Sequence, residues 1–450
     1  MQLKNFPLLC LFLVFIFIRT SPVVAQAPDT SGESRFAIRA ARMLDVKSGQ
    51  YVLSPILLIE AGRIKAIGTN LAIPSGTRVM DLKGVTLLPG LIDCHSYLLQ
   101  TYNRNFGGDD NNIILTATQM NTAKRALLGV KNGREVLEAG ITTVRDVGNC
   151  GMNGAVALRD AISAGWVSGP RIVACTRALS PLGGQFPGLA PDVQTLVAQE
   201  YIPVSGVEEA RKAVRQSLYD GADCIKVIVD ANQQTLSPNE MNVIVEEAHR
   251  AGKKVSAHAI SDLAVETAAA AGVDSIEHAY SHSKEQAKLM AKNKVFLVPT
   301  DGPADVYLMG YESLTPEARK RGENNFKWFT LHSRQRLARA VKAGVRIAAG
   351  SDQYYDLPGL TRGTASLKML SAYAEAGMTP LEIIRAATLN GSELLGMSNE
   401  VGSLEVGKWA DVIAVSGDPL RDVAELQRVC FVMKAGAVVR NEATRGIVGK

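Results

Sequence analysis

The chain has 450 residues, enough to bury a full core and to divide into two or three domains. It is 46% hydrophobic and 21% charged, with a formal net charge of +5 and a mean hydropathy of +0.05. That balance excludes a disordered or fibrous chain, and without a basic run or a basic–aromatic patch it gives no support to a nucleic-acid partner.

Residues 1–25 have a texture of their own. Lys4 precedes the apolar run PLLCLFLVFIFI (7–18), and small residues follow at Val23, Ala25 and Ala27. This is the pattern of a secretory signal peptide cut after Ala25 or Ala27, and the run is short against the roughly 20 residues of a bilayer span. No later stretch is apolar enough to cross a membrane, so the expected product is secreted or periplasmic, with no stable membrane span after cleavage. Outside the leader, Cys94, Cys150, Cys175, Cys224 and Cys430 form an odd, scattered set. Such a set does not read as a disulfide framework, and most are expected in strands as small buried hydrophobes.

Residues 36–84 alternate in short strands and turns, as in RFAIRAARMLD and PILLIEAGRIKAIGT. From 85 the pattern becomes apolar strand, loop and amphipathic helix, repeated. The predicted strands are 85–95, 141–147, 170–176, 224–230, 255–260, 275–280, 295–301 and 345–352, with helices such as SPNEMNVIVEEAHRAGKK and SDLAVETAAAAG between them. Glycine ends several of these helices just before the next strand (EAGITT, RAGKKV, AAGVDS, KAGVRI). Eight strands separated by helices predict an α/β fold, a parallel (β/α)8 barrel over 85–398, with an open doubly wound sheet as the competing arrangement. Beyond the helix TPLEIIRAATLNGSELLG, residues 399–445 return to short strands. Together with 36–84 they are expected to form one small β-sandwich built from both chain ends. The Gly/Asn/Pro-rich stretches 103–112 and 180–192 follow the first and third barrel strands and would lie over their C-terminal ends.

The chemistry collects at those ends. In GLIDCHSY (90–97), Asp93, His95 and Tyr97 alternate with Ile92, Cys94 and Ser96, so in a strand the first three share one face and Cys94 points into the helix layer. Later strand ends supply Lys226, His258, His278 and Asp352. Three of the chain's six histidines therefore fall at barrel strand ends, while His249, His282 and His332 lie in helices or a loop. A lone strand histidine is usually structural. A convergent set with a lysine in an apolar strand is not. Lys226 within CIKVIVD is expensive to bury as a cation, and N-carboxylation would make it a metal-binding anion. Arg145-Asp146 could orient substrate or form a structural salt bridge. Neither a Gly-rich phosphate cradle nor a G-x-S-x-G elbow is present.

These motifs resemble the amidohydrolase superfamily, specifically its imidazolonepropionase-related and prolidase-like metal-dependent hydrolases. The matching stretches are PGLIDCH (89–95), GITTVRDVG (140–148), GPRIVA (169–174), GADCIKV (221–227), VSAHA (255–259), GVDSIEHA (272–279), GVRIAAGSD (344–352) and GSLEVGKWADVIAV (402–415). The resemblance implies one or two divalent metal ions, usually zinc, bridged by a carboxylated Lys226. It implies His258 and His278 as ligands of one ion, His95 as a ligand of the other, and Asp352 as ligand and proton shuttle. Two departures stand out. The first strand normally ends H-x-H, and here Tyr97 stands at the second histidine; relatives often carry G-G-H after the third strand, and here Gln185 follows Gly183-Gly184.

The expected function is an exported hydrolase cleaving a C–N bond of a small molecule, an amide, cyclic amide or dipeptide, through a metal-activated water. Tyr97, Gln185 and Tyr280 are expected to touch substrate or stabilise the developing oxyanion. The competing expectation is a catalytically impaired barrel that only binds a small molecule, since two imidazoles are missing. Association with further copies of the chain is compatible with this reading.

Overall fold

A computed structural model describes residues 35–309 and 315–443; the expected signal segment 1–25 lies outside them. Strands from both chain ends join by hydrogen bonds. Phe36–Asp45, Gln50–Leu53, Ile56–Glu60, Arg63–Gly68 and Arg78–Pro89 combine with Val412–Val415, Val429–Lys434 and Ala437–Asn441 in one eight-stranded sheet. The union of the two termini is as expected, but in hydrogen bonding it is one continuous mixed sheet rather than two stacked sheets. Arg78–Pro89 makes the join, running parallel to Phe36–Asp45 and antiparallel to Val412–Val415. Ile38, Leu57, Ile64, Leu87, Val412 and Phe431 pack a core of their own beside it.

Between the two halves of that sheet, apart from a short antiparallel hairpin of Asp230–Ala231 with Gln234–Thr235, the strands are parallel and alternate with helices. One set is Leu91–Ser96, Ile141–Asp146 and Arg171–Ala174. A second, six-stranded set includes Cys224–Ile228, Lys254–Ala259, Ser275–His278 and Phe296–Val298. Single parallel bridges connect them: Cys175 with Cys224, Leu297 with Ile347, and Ser96 with Gln353. The strands are buried along nearly their whole length, which is why they read as continuous apolar runs instead of alternating ones. The helices between them carry the expected signals. Ser237 and Glu240 form a capping box on Pro238–Arg250, and Ser261 caps Asp262–Ala271, which ends at the left-handed Gly272.

Three sequence expectations need correction. The predicted strand 85–95 is two strands parted at Gly90, where the chain passes from one sheet to the other; a Cβ there would lie 2.8 Å from Cβ of Thr142. The predicted strand 345–352 has no continuous strand partner. Its backbone bonds instead to both sides: Cys94 N–H donates to Ala349 O (2.7 Å), and Ala349 N–H donates to Ala386 O (3.0 Å). Ala386 opens a π-helical turn, Ala386–Asn390, and Asn390 Nδ2 donates to Ile347 O at 2.7 Å. A π turn frees a carbonyl that an α-helix would engage internally, so this helix takes up backbone groups left over by the flanking strands, which bond at Arg346 and Ala348 on one side and at Ala349 and Asp352 on the other. Finally, Cys175 and Cys224 form a disulfide, although the cysteine set did not read as containing one. Odd spacing hides a pair that the register of adjacent strands brings together. Cys94 is free and buried against the helix at Gly391, on the side expected.

Gly350 sits where this last segment passes the first strand. A Cβ there would meet a Val298 methyl and lie 2.8 Å from Cβ of His95. Gly350→Ala is therefore expected to cost about 1–3 kcal/mol of stability, read as a lowered melting temperature. An unchanged melt would mean that the seam is slacker than these contacts imply.

Candidate active site

Side chains from several strand ends face a cavity of about 240 Å3, lined by Tyr97, Gln185, His258, His278, Tyr280 and Asp352 among others. His95 lies beneath it, fully buried. Its Nδ1 is 2.6 Å from Oε2 of Glu277. The other oxygen of Glu277 accepts hydrogen bonds from Arg145 Nη2 (2.7 Å), Ser256 Oγ (2.9 Å) and Ser275 Oγ. Burial opposes charge on Glu277, but Arg145 and His95 outweigh it and hold the carboxyl well below its usual range. An ionised Glu277 fixes the proton of His95 on Nδ1. The lone pair of Nε2 then has no partner among the described residues, 3.5 Å from Asp352 Oδ1.

His278 is oriented in the same manner. Thr300 donates its hydroxyl proton to Pro299 O (2.7 Å), so Thr300 Oγ1 accepts from His278 Nδ1 at 2.8 Å. The rings of His258 and His278 are 4.6 Å apart and those of His95 and His278 5.1 Å. Burial pushes the pKa of His95 down to about 4 and drives those of His258 and His278 well below the ordinary value; neighbouring cationic groups push the same way. All three imidazoles are neutral and offer lone pairs. Lys226 Nζ is buried without a hydrogen-bond partner, and burial lowers its pKa to about 8.

The strand alternation does not continue through the site. His278 (φ 68°), Ala279 (φ 47°), Thr300 (φ 58°) and Asp352 (φ 52°) all adopt left-handed backbone, a cost that clusters where side chains must be aimed. The turn at His278 lets the consecutive residues Glu277 and His278 both serve the site, which alternation forbids. Glu277 was for that reason missed by sequence reasoning, although its place directly before a strand-end histidine was a usable signal. Asp93, expected on the same strand face as His95 and Tyr97, turns to the last segment. It accepts from His95 N–H (3.0 Å), Ser351 N–H (2.9 Å) and Ser351 Oγ (2.6 Å), and so anchors the residue before Asp352. For Arg145 the structural reading holds: its salt bridge is to Glu277. His249 pairs with Asp274 on the surface.

Donor atoms of His95, His278 and Asp352 lie within 4.8 Å of one another. That grouping draws His95 and His278 together, where the sequence reading had assigned them to separate ions. Two neutral imidazoles, one of them with an unpartnered nitrogen, and a carboxylate, beside the unpartnered amine of Lys226, suit a divalent cation. Tyr97 meets His95 edge to face, ring centres 5.4 Å apart, and burial raises its phenol pKa well above the ordinary value. Gln185 Oε1 accepts from Tyr201 OH (3.1 Å), leaving its N–H groups to the cavity it lines. Tyr280 lines the same cavity and lies against His278.

Lone pairs from neutral imidazoles and a part-buried carboxylate, collected at one end of the parallel strands, are the equipment of a hydrolase that activates water. Residues 86–439 match the Amidohydrolase family, and the chain belongs to that family. It is an enzyme of that kind, a hydrolase of carbon–nitrogen bonds. It is 29% identical to an ochratoxinase of Aspergillus niger, over 95% of this chain and 91% of the relative. An imidazolonepropionase of Bdellovibrio bacteriovorus is 26% identical, over 80% and 82% of the two chains. Among solved structures, a Xaa-Pro dipeptidase with bound methionine superposes with a TM-score of 0.77 at 30% identity, over 90% of this chain and 99% of the other.

If Glu277 sets the proton on His95, Glu277→Gln should weaken divalent-metal retention by about 10–100-fold, measured by chelator competition. Retention equal to that of the parent protein would remove Glu277 from the site.

Proposed function

We propose that the chain is an exported, metal-dependent amidohydrolase that cleaves an amide, cyclic amide or dipeptide bond of a small molecule. The observation that carries this reading is the pair of buried, unpartnered nitrogens, Lys226 Nζ and His95 Nε2, beside the grouped donor atoms of His95, His278 and Asp352. In the same reading the parallel strands and the segment 347–353 close into an eight-stranded barrel, supported by the three single bridges. Export rests on the leader-like segment 1–25 alone.

His95, His258, His278, Asp352 and an N-carboxylated Lys226 would hold the metal, zinc by preference for imidazole and carboxylate donors. The chemistry such an ion supplies is Lewis acidity, which lowers the pKa of water toward about 7 and polarises a carbonyl. The chain's own groups do the rest. Asp352, at the cavity floor, takes the proton of the attacking water on a carboxylate oxygen and delivers it to the leaving nitrogen. Burial raises its pKa well above the carboxylate range, which favours release of the proton to the leaving nitrogen, and Lys226 opposes that shift. Tyr97 and the free N–H groups of Gln185 donate toward the oxyanion. A binding-only barrel is favoured by the two missing imidazoles, with the phenol of Tyr97 at one position and Gln185 at the other.

Asp352→Asn should lower the hydrolytic rate by roughly 10²–10⁴-fold with the metal retained. A rate within error of the parent would refute the assigned proton transfer. Metal analysis separates the readings: one or two equivalents per chain support the hydrolase, none the binding barrel. Labelled bicarbonate should yield a carbamate carbon signal in the parent and none in Lys226→Met; a signal absent from the parent would reject carboxylation.

A further inference from the structure

The cavity wall away from the imidazoles has a character of its own. Gln100 is buried, 2% exposed, and lines the cavity, yet its Oε1 has no hydrogen-bond partner among the described residues. Asp109, in the first turn of Asp109–Gln119, also lines it from the exposed rim. Its carboxylate accepts from the hydroxyls of Tyr354 (3.2 Å) and Tyr355. Tyr102 packs edge to face on Tyr354 with ring centres 5.1 Å apart, and Tyr97 does so at 5.6 Å. Among the described residues, no lysine or arginine lines the cavity.

The nearest guanidinium groups are engaged elsewhere. Arg362 donates to the backbone oxygens of Tyr97, Gln100 and Gln353 and to Thr101 Oγ1. Arg104 lies over the ring of Tyr355. Among the described residues the wall therefore combines one carboxylate, one unsatisfied amide oxygen and aromatic faces, and no lysine or arginine side chain lines it. A buried acceptor without a donor costs free energy that a ligand's N–H recovers, and aromatic faces attract a positive charge. A free substrate carboxylate would meet repulsion here instead.

We propose that this wall is a subsite for a cationic donor on the substrate, an ammonium or guanidinium group, so that the preferred amides carry a positive charge near the scissile bond. The proposal deepens the hydrolase reading and rests on it. Gln100 and Asp109 grip the N–H groups, and the tyrosine rings flank the charge. In a dipeptide the cation is the terminal amine or a basic side chain.

The test uses the full, metal-loaded chain and three substrate arms: alanyl-leucine, its N-acetyl form, and N-acetyl-lysyl-leucine. Parent enzyme should show kcat/KM at least about tenfold higher for a charged arm than for N-acetyl-alanyl-leucine, and the arm that gains identifies the source of the cation. Asp109→Asn should abolish most of that preference, mainly through KM. Asp110→Asn, one residue on and outside the cavity, should keep it. Equal rates on all three arms, or a preference untouched by Asp109→Asn, would overturn the subsite. If no arm is cleaved, only the dipeptide form of the hydrolase reading fails, and calorimetry with 2-phenylethylammonium against 2-phenylethanol decides the subsite. Tighter binding of the ammonium that Asp109→Asn removes supports it; equal binding of the two probes rejects it.

Discussion

Glu277 is a full negative charge in the interior, and the arrangement of the site follows from satisfying it. One oxygen takes Arg145 and the hydroxyls of Ser256 and Ser275; the other takes His95. Arg145 also reaches Cys94 O and Ser275 Oγ. Four parallel strands are therefore tied to a single carboxylate. Removing one partner of such a group leaves an uncompensated buried charge, a far larger loss than the net contribution of the intact pair. That asymmetry makes the orientation of His95 a consequence of interior electrostatics and not of its own rotamer preference.

Desolvation governs the groups nearer the cavity. Burial keeps the imidazoles neutral and lowers the pKa of Lys226 to about 8, so each is held in, or close to, the state that donates a lone pair. The same burial raises Asp352 and Tyr97, which favours a carboxyl able to carry a proton and a phenol that keeps its own. A hydrolase needs this division: ligands without protons on one side, proton carriers on the other.

Asp352 is delivered by a segment with little strand pairing of its own. The π turn at Ala386–Asn390, the Asp93 bonds to Ser351 and the Arg362 bonds to Gln353 O and Tyr97 O take over that task. Distributed support of this kind suits a residue held at φ 52°, since a regular ladder would impose extended geometry.

By itself the sequence determined the alternation of parallel strands and helices, the union of the two termini and the placing of His95, Lys226, His258 and His278 in those parallel strands, because apolar runs and helix caps are local signals. The break at Gly90, the bonding of 345–352 to a helix, the Cys175–Cys224 pairing and the roles of Glu277, Asp93, Gln100 and Asp109 came only with the tertiary structure. Each depends on which distant residue lies opposite, or on a left-handed backbone that reverses the facing of consecutive side chains. Alternation predicts direction only while the strand stays extended, and this chain leaves that geometry at His278 and Asp352, where its chemistry lies.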